Sequence, residues 1–372
     1  MKILYDHQIF SYQKFGGISR YHFELINHYK KLSEIDADIG LKWTDNFYLK
    51  NLNYKDVDEN ILSKANSNLK TLQRYNINKK ESIKYLKGND FNIFHPTFYD
   101  PYFLKYLRKK FVLTIYDMTP ELFPDSFRNN WLYYRLVSKR WIDSKKELSK
   151  KSSIVFSISE NTKNDIVKLY GIEPSKIKTI YLSHSIIIEK NININVPEKY
   201  ILYVGARKGY KNFNFLLKVF KKISDRYKDI SLICLGGGVF DNEENQLIES
   251  LNLQKKIFRF NANDNELFYY YNKALCFIYP SLYEGFGIPI LESFASSCSV
   301  LLSNASCFPE IALDSGLYFD PLNEDSLYEN VIRIINDKDL RKNYIERGLK
   351  RVKDFSWEKT ANETLQVYKS LL

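Results

Sequence analysis

Short apolar runs alternate along this chain with longer stretches whose apolar positions recur at helical spacing. That alternation is the signature of βαβ units and a parallel sheet. The runs predict strands at 2–5, 93–95, 111–115, 154–157 and 178–181 in the first half, and at 200–204, 230–235, 274–279 and 300–302 in the second. Helical periods fall between them, at 19–29, 161–170, 212–224, 242–251, 264–273 and 289–297. The stretch 186–198 is polar, has no helical period and reads as a linker. Each half then owns a strand series, and right-handed crossovers should give two doubly wound α/β sheets.

Composition narrows the class. At 372 residues the chain suits two domains, and 44% hydrophobic with 27% charged residues is globular rather than disordered. Met1-Lys2 runs straight into the first strand, and no apolar run reaches about 18 residues, so a cytoplasmic protein without a signal peptide is expected. The four cysteines form no C-x-x-C pair, and Cys234 and Cys276 sit in strand-like runs, which favours buried free thiols. A net charge of +11 calls for an acidic partner: nucleic acid, an anionic membrane face or a phosphorylated small molecule. Aromatic RNA motifs and a helix-turn-helix are both missing, which argues against nucleic acid.

One region concentrates the charge. Between positions 102 and 151, Lys105, Arg108, Lys109, Lys110, Arg135, Lys139, Arg140, Lys145, Lys146, Lys150 and Lys151 interleave with Trp131, Tyr133, Tyr134 and Trp141. Such a helix suits an anionic bilayer surface. It equally suits a solvated face whose aromatics pack inward.

Three segments of the second half carry chemistry. In the first a strand ends at Gly205, and a short loop with Arg207 and Lys211 leads into a helix. Strand ends at the carboxyl edge of a parallel sheet face the ligand crevice, and helix N-termini there favour anions. In the second a strand runs into Gly236-Gly237-Gly238, without the G-x-G-x-x-G spacing of a nicotinamide site. The third runs from Ile278 to Glu292: a strand end, a glycine-punctuated loop with Glu284, then Pro289 in a helical first turn and Glu292 one turn in. Loop amides for a diphosphate and carboxylates for hydroxyls together fit a nucleotide sugar.

The wording Pro-Ser-Leu-Tyr-Glu284-Gly-Phe-Gly-Ile-Pro-Ile-Leu-Glu292 resembles the E-x7-E signature of retaining GT-B glycosyltransferases of family 4. Gly16-Gly17-Ile18-Ser19 looks like that family's first glycine loop on the acceptor side, Gly205 to Lys211 like its donor-phosphate loop, and Phe308-Pro309-Glu310 with Tyr318 to Pro321 like its post-motif region. Phe355-Ser356-Trp357-Glu358 looks like the opening of its C-terminal helix. The resemblance implies a GT-B fold: two Rossmann-like domains facing across a cleft. An acceptor-binding domain would span 1–186 plus the returning helix 356–372, and a nucleotide-sugar domain 187–355.

It also implies roles. Glu292 would bind ribose hydroxyls, Glu284 would sit by the transferred sugar, and the amides of Phe286, Gly287 and Ile288 would meet phosphates and sugar. Arg207 and Lys211 would neutralise the leaving diphosphate, while Gly16, Gly17 and Gly205 would let backbone approach the donor. Asp117 and His95 are the catalytic candidates of the first half. The family often has apolar-Thr-apolar-His-Asp, whereas Thr114-Ile115-Tyr116-Asp117 puts tyrosine at the histidine place, and His95 ends a neighbouring strand. The family's glycine before Pro-Val is replaced by Ser297-Cys298-Ser299-Val300.

The implied reaction is retaining transfer from a nucleotide sugar, with GDP-mannose favoured, to a lipid-linked saccharide at the inner membrane face during O-antigen or capsule assembly. No cofactor and no metal are expected. Asp36-Ala-Asp38 and Asp56-Val-Asp58 fit the D-x-D of metal-dependent transferases, but the first precedes a possible edge strand and the second lies in a polar run, so both read as surface acids. The competing readings are a GT-B-shaped nucleotide-sugar 2-epimerase, a nucleic-acid-binding protein and a sugar-nucleotide module that has lost activity.

Overall fold

Continuous apolar runs such as Ile230-Ser-Leu-Ile-Cys-Leu235 are buried on both faces, which only a parallel sheet covered by helices on each side allows. The computed structural model, which describes residues 1–52, 54, 67–126, 139–188 and 194–372, pairs every described strand in parallel. The chain forms two units. The first comprises Met1–Met118, Asn130–Leu182 and Trp357–Leu372; the second comprises Thr119–Asn129 and Ser183–Ser356.

In the first unit, β1 (Lys2–Asp6) lies between β2 (Asp36–Gly40) and β3 (Ile93–His95), and a second sheet orders β4 (Val112–Ile115), β5 (Ile154–Ser157) and β6 (Ile177–Thr179). A bridge from Phe94 to Phe111 joins the two sheets, giving the sequence β2-β1-β3-β4-β5-β6. In the second unit the order is β12-β11-β10-β7-β8-β9, from β7 (Lys199–Val204), β8 (Ile230–Leu235), β9 (Ile257–Phe260), β10 (Cys276–Tyr279), β11 (Val300–Ser303) and β12 (Leu317–Phe319). Both orders reverse direction beside the unit's first strand. The reversal opens a crevice at the carboxyl ends of β1 and β3 in one unit and of β7 and β10 in the other.

The sequence-predicted strands are present within a few residues. Three short strands are additional to the predicted set. β2 is an edge strand, exposed at Asp36 and buried at Ala37 and Ile39; β9 buries only Ile257; β12 spans three residues. Helices Ser67–Gly88, Lys139–Lys151, Glu324–Asn336 and Lys338–Arg351 are also additional to the predicted set. The core of the second unit forms where helix Phe213–Arg226 presses Phe213, Leu216, Leu217, Phe220 and Ile223 onto the sheet.

The last helix, Trp357–Ser370, belongs to the first unit and is fixed there by polar bonds. The Tyr368 hydroxyl bonds that of Tyr5 at 3.0 Å and His95 Nδ1 at 2.6 Å, and Tyr29 donates to the Ala361 carbonyl at 2.8 Å. His95 Nε2 meets the Thr114 hydroxyl at 2.8 Å, so both ring nitrogens are engaged inside the core.

Burial pushes the His95 pKa down to about 3, and does the same to His7. In the unfolded chain these imidazoles titrate near 6.5. Their contribution to stability is therefore complete above about pH 6.5 and is lost as the pH falls toward about 3, because only the unfolded chain takes up protons there. Thermal unfolding should show a lower midpoint at pH 5 than at pH 7, and His95→Gln should flatten that dependence. Parallel pH profiles for variant and parent would contradict the assignment.

Candidate active site

The loops following β7 and β10 meet at the crevice of the second unit. The amide of Leu282 donates to the Tyr210 carbonyl at 2.7 Å, and Lys211 Nζ lies 2.5 Å from Glu284 Oε1. Both charged side chains are mostly shielded. Phe123, from the segment that joins this unit out of sequence order, stands 5.9 Å from the Tyr210 ring and 5.8 Å from the Tyr283 ring.

Glu284 is held by its backbone. Its carbonyl accepts from Ser306 Oγ at 2.6 Å and from Cys307 Sγ at 3.2 Å, and its amide donates to Ser306 Oγ at 3.2 Å. The carboxylate also faces Tyr279, whose phenol it pushes further up after burial has raised it. All four cysteines are free and buried.

Gly287 stands at φ +86° as the N-cap of helix Ile288–Ala295, with Pro289 in the first turn. A Cβ there would also lie 3.0 Å from Ile290 Cδ1. The loop thus enters the helix along a path that L side chains rarely take. Phe286 is buried against Phe355, and Glu292 is nearly buried with the Tyr271 hydroxyl donating to its Oε2 at 3.2 Å.

Arg207 departs from its expected role as a cation facing the ligand. Its side chain is 2% exposed, and Nε donates to Glu244 Oε1 at 2.9 Å. Nη1 reaches the Gly236 carbonyl at 2.8 Å, and Nη2 reaches those of Gly238 at 3.0 Å and Val239 at 2.9 Å. Gly236, Gly237 and Gly238 all have positive φ, at +80°, +70° and +72°, which turns successive carbonyls onto the guanidinium. A Cβ on Gly237 would lie 2.5 Å from Arg207 Nη1. Phe240 stacks over the cation at 4.6 Å. Glu244 simultaneously closes the capping box of helix Asn242–Ser250 with Asp241. Arg207 therefore braces the loop after β8, and behind it Gly205, whose amide bonds the Leu235 carbonyl at 2.9 Å.

Sequence reasoning missed Glu244, Ser306, Tyr271 and Tyr279. The capping-box spacing of Asp241 and Glu244 was the one signal open to it.

In the first unit the candidates occupy different roles. His95, expected among the catalytic candidates, is placed in the core as described above, buried and with both ring nitrogens hydrogen-bonded. Tyr116, at the family's histidine position, bonds His22 Nε2 at 2.5 Å and is itself buried. Asp117 follows β4 and is half-buried, its carbonyl accepting from Lys145 at 3.0 Å. Gly16 and Gly17 open helix Gly17–Tyr29, and the Gly16 carbonyl accepts from the Ser19 hydroxyl at 3.1 Å.

Among the described residues no group of three or more His, Cys, Asp or Glu is placed to hold a metal ion. Asp38 accepts from the Tyr54 hydroxyl at 2.7 Å on edge strand β2, and Asp56-Val-Asp58 lies outside the described residues. In the basic region, Trp141 packs 5.3 Å from Phe98 while Lys139, Arg140, Lys150 and Lys151 face solvent; Trp131, Tyr133, Tyr134 and Arg135 lie outside the described residues. No described helix is long and apolar enough to cross a membrane.

Residues 185–351 match the family described as glycosyl transferases group 1. The chain is 33% identical over 217 residues to the O-antigen chain mannosyltransferase RfbU of Salmonella typhimurium, a stretch that spans 58% of each protein. It is 29% identical over 297 residues to the O-antigen chain mannosyltransferase B of Escherichia coli, covering 75% of this chain and 74% of that one. The crystal structure of Anabaena Alr3699/HepE in complex with UDP-glucose superposes with a TM-score of 0.74 at 13% identity, covering 100% of both chains. The fold is that of GT-B glycosyltransferases, two Rossmann-like α/β domains, and the family match supports a glycosyltransferase.

Removing one partner of a buried ion pair leaves the other uncompensated and costs about 3–5 kcal/mol. Arg207→Ala should therefore lower the unfolding midpoint substantially, and Arg207→Lys should rescue little because an ammonium cannot reproduce the planar fork. A midpoint unchanged in calorimetry for both variants would show that the brace is dispensable.

Proposed function

We propose that the protein is a retaining glycosyltransferase that moves a sugar, with mannose from GDP-mannose the first choice, to a lipid-linked saccharide in bacterial O-antigen or capsule assembly. The observation that carries this reading is the Lys211–Glu284 pair, which spans the loops after β7 and β10 at the crevice of the second unit. A nucleotide diphosphate arriving there gives Lys211 a second anionic partner. Glu284, released from the ammonium, is then free to accept from hydroxyls of the transferred sugar. Glu292 takes the ribose hydroxyls, and the amides of Phe286, Gly287 and Ile288 meet phosphate and sugar.

The chemistry asked of the protein is modest. In a front-face reaction the departing phosphate oxygen takes the proton of the attacking hydroxyl while the sugar passes through an oxocarbenium-like state. Bond making and breaking happen on one face, so the anomeric configuration is retained. The protein contributes charge stabilisation at the leaving diphosphate and the positioning of two substrates. Lys211 supplies the cation, and Arg207 serves by holding the glycine loop in shape. This division needs no metal ion or cofactor. The O-antigen mannosyltransferase relatives support the biological setting, and the exposed cations of helix Lys139–Lys151 support a peripheral position on the anionic inner face of the plasma membrane.

Thermal shift against GDP-, UDP- and dTDP-sugars should single out one nucleotide, since saturation at 100 times Kd stabilises by about 2.7 kcal/mol. Lys211→Ala should reduce kcat by roughly 100- to 1000-fold, the usual effect of losing one preorganised charge donor. Wild-type turnover in a folded Lys211→Ala protein would defeat the assignment.

Transfer should also proceed unchanged in excess EDTA. Loss of activity on chelation, restored by a divalent ion, would reverse the metal-independent reading.

A further inference from the structure

One wall of the second unit's crevice is supplied from elsewhere in the chain. Thr119–Asn129 belongs to the second unit, although the residues before and after it belong to the first. Its described part is short and stiff. A helical turn spans Thr119–Leu122, the Phe123 amide donates to the Thr119 carbonyl at 2.8 Å, and the Ser126 amide donates to the Phe123 carbonyl at 3.1 Å. Pro120 has its φ fixed within that turn, and Pro124 disfavours continuing the helix through Phe123. This strap rests on the loop after β7. Gly209 stands at φ +54°, and a Cβ there would run into the Ser126 side chain and come 3.2 Å from Ser126 Cα.

Phe123 reaches both loops at once. Its ring stands 5.9 Å from that of Tyr210 and 5.8 Å from that of Tyr283, within the range of favourable aromatic pairs. Those tyrosines immediately precede Lys211 and Glu284, the two residues that pair across the loops. Tyr283 is buried. Lys211 Nζ lies 5.1 Å from the Tyr210 ring centroid, so the ring that Phe123 holds is also the one beneath the ammonium. The bond from the Leu282 amide to the Tyr210 carbonyl ties the two backbones together, but a single hydrogen bond leaves them free to pivot about it. A third ring set against both tyrosines removes that freedom.

We infer that Phe123 is a positioning residue for the Lys211–Glu284 pair: by clamping Tyr210 and Tyr283 it sets the place and direction from which Lys211 meets an incoming diphosphate. Phe123 carries no group that stabilises an anion or moves a proton, so its effect on turnover passes through the pair it holds. A cation displaced by about 1 Å from the leaving group can cost on the order of 100-fold in rate, and loosening one of its supports costs part of that. The link to turnover rests on the transferase reading; the clamp itself rests on the ring geometry.

Two measurements on the full chain test it. In hydrogen exchange, Phe123→Ala should speed exchange of the Leu282 amide by about tenfold, because its bond to Tyr210 has lost the clamp. In release of nucleoside diphosphate from GDP-mannose, UDP-glucose or dTDP-glucose, with water as the acceptor, the same variant should lower kcat roughly tenfold and leave KM for the donor within about twofold. Phe123→Tyr, which keeps the ring, should restore both. On a Lys211→Ala background Phe123→Ala should cost less than about twofold, since effects that pass through one residue do not add. Multiplicative losses in the double variant, a raised KM with kcat intact, or exchange equal to that of the parent overturns the inference. Phe123→Leu, which loses the flat face, takes the place of the alanine variant if calorimetry shows the latter to be unfolded. A parent that turns over none of the three donors defeats the transferase reading, and the exchange result then decides the clamp alone.

Discussion

A guanidinium shut away from water has to find acceptors for its N–H groups, and Arg207 finds them by gathering the carbonyls of the glycine loop together with the Glu244 carboxylate. Much of the second unit's crevice follows from that demand. Three consecutive residues with positive φ are tolerable only as glycines, and the loop after β8 is pulled against the loop after β7. With Gly205 and Arg207 so fixed, the chain reaches Tyr210 and Lys211 in the position from which one bonds Leu282 and the other pairs with Glu284. A buried ion pair of this kind is a poor source of net stability compared with an apolar contact, but it specifies one arrangement of the backbone around it.

The two units solve the problem of a buried polar carboxyl edge differently. In the second unit the polar side chains are arranged as charge pairs beside glycine turns. In the first, Asp6 is fully buried and accepts from the Thr97 amide and hydroxyl and from the Gln8 side chain, while histidines and tyrosines fill the space behind. Desolvation raises the Asp6 carboxyl and lowers the imidazoles, so uncharged histidines and phenols line the core beneath the β1–β3 reversal. Such a layer is sensitive to protons, since only the unfolded chain takes them up readily.

The fold was legible because its evidence is periodic. Apolar runs in β7, β8 and β10 and the helical spacing between them announced a parallel sheet. The run from Ile278 to Glu292 identified the loop that turned out to sit at the crevice. Strands held in place by neighbours rather than by their own side chains, β2 and β9 among them, left no such trace. Side-chain direction was equally hidden. Arg207 sits in a loop where a cation for phosphate is reasonable, and nothing in the linear order reveals that Glu244, far along the chain, claims it. His95 looked like a candidate because it ends a strand. Its partner Tyr368 lies at the opposite end of the chain, and only the folded form brings the two together.

That partnership has a consequence for how the chain is made. The first unit encloses residues from its opening strand and from a helix synthesised after the whole of the second unit. On the ribosome, β1 and β3 must wait with Tyr5, Tyr29 and His95 lacking their eventual partners while some 170 intervening residues emerge and fold. The second unit can mature vectorially; the first has all six strands in hand before it, yet its core is sealed only when the helix Trp357–Ser370 arrives.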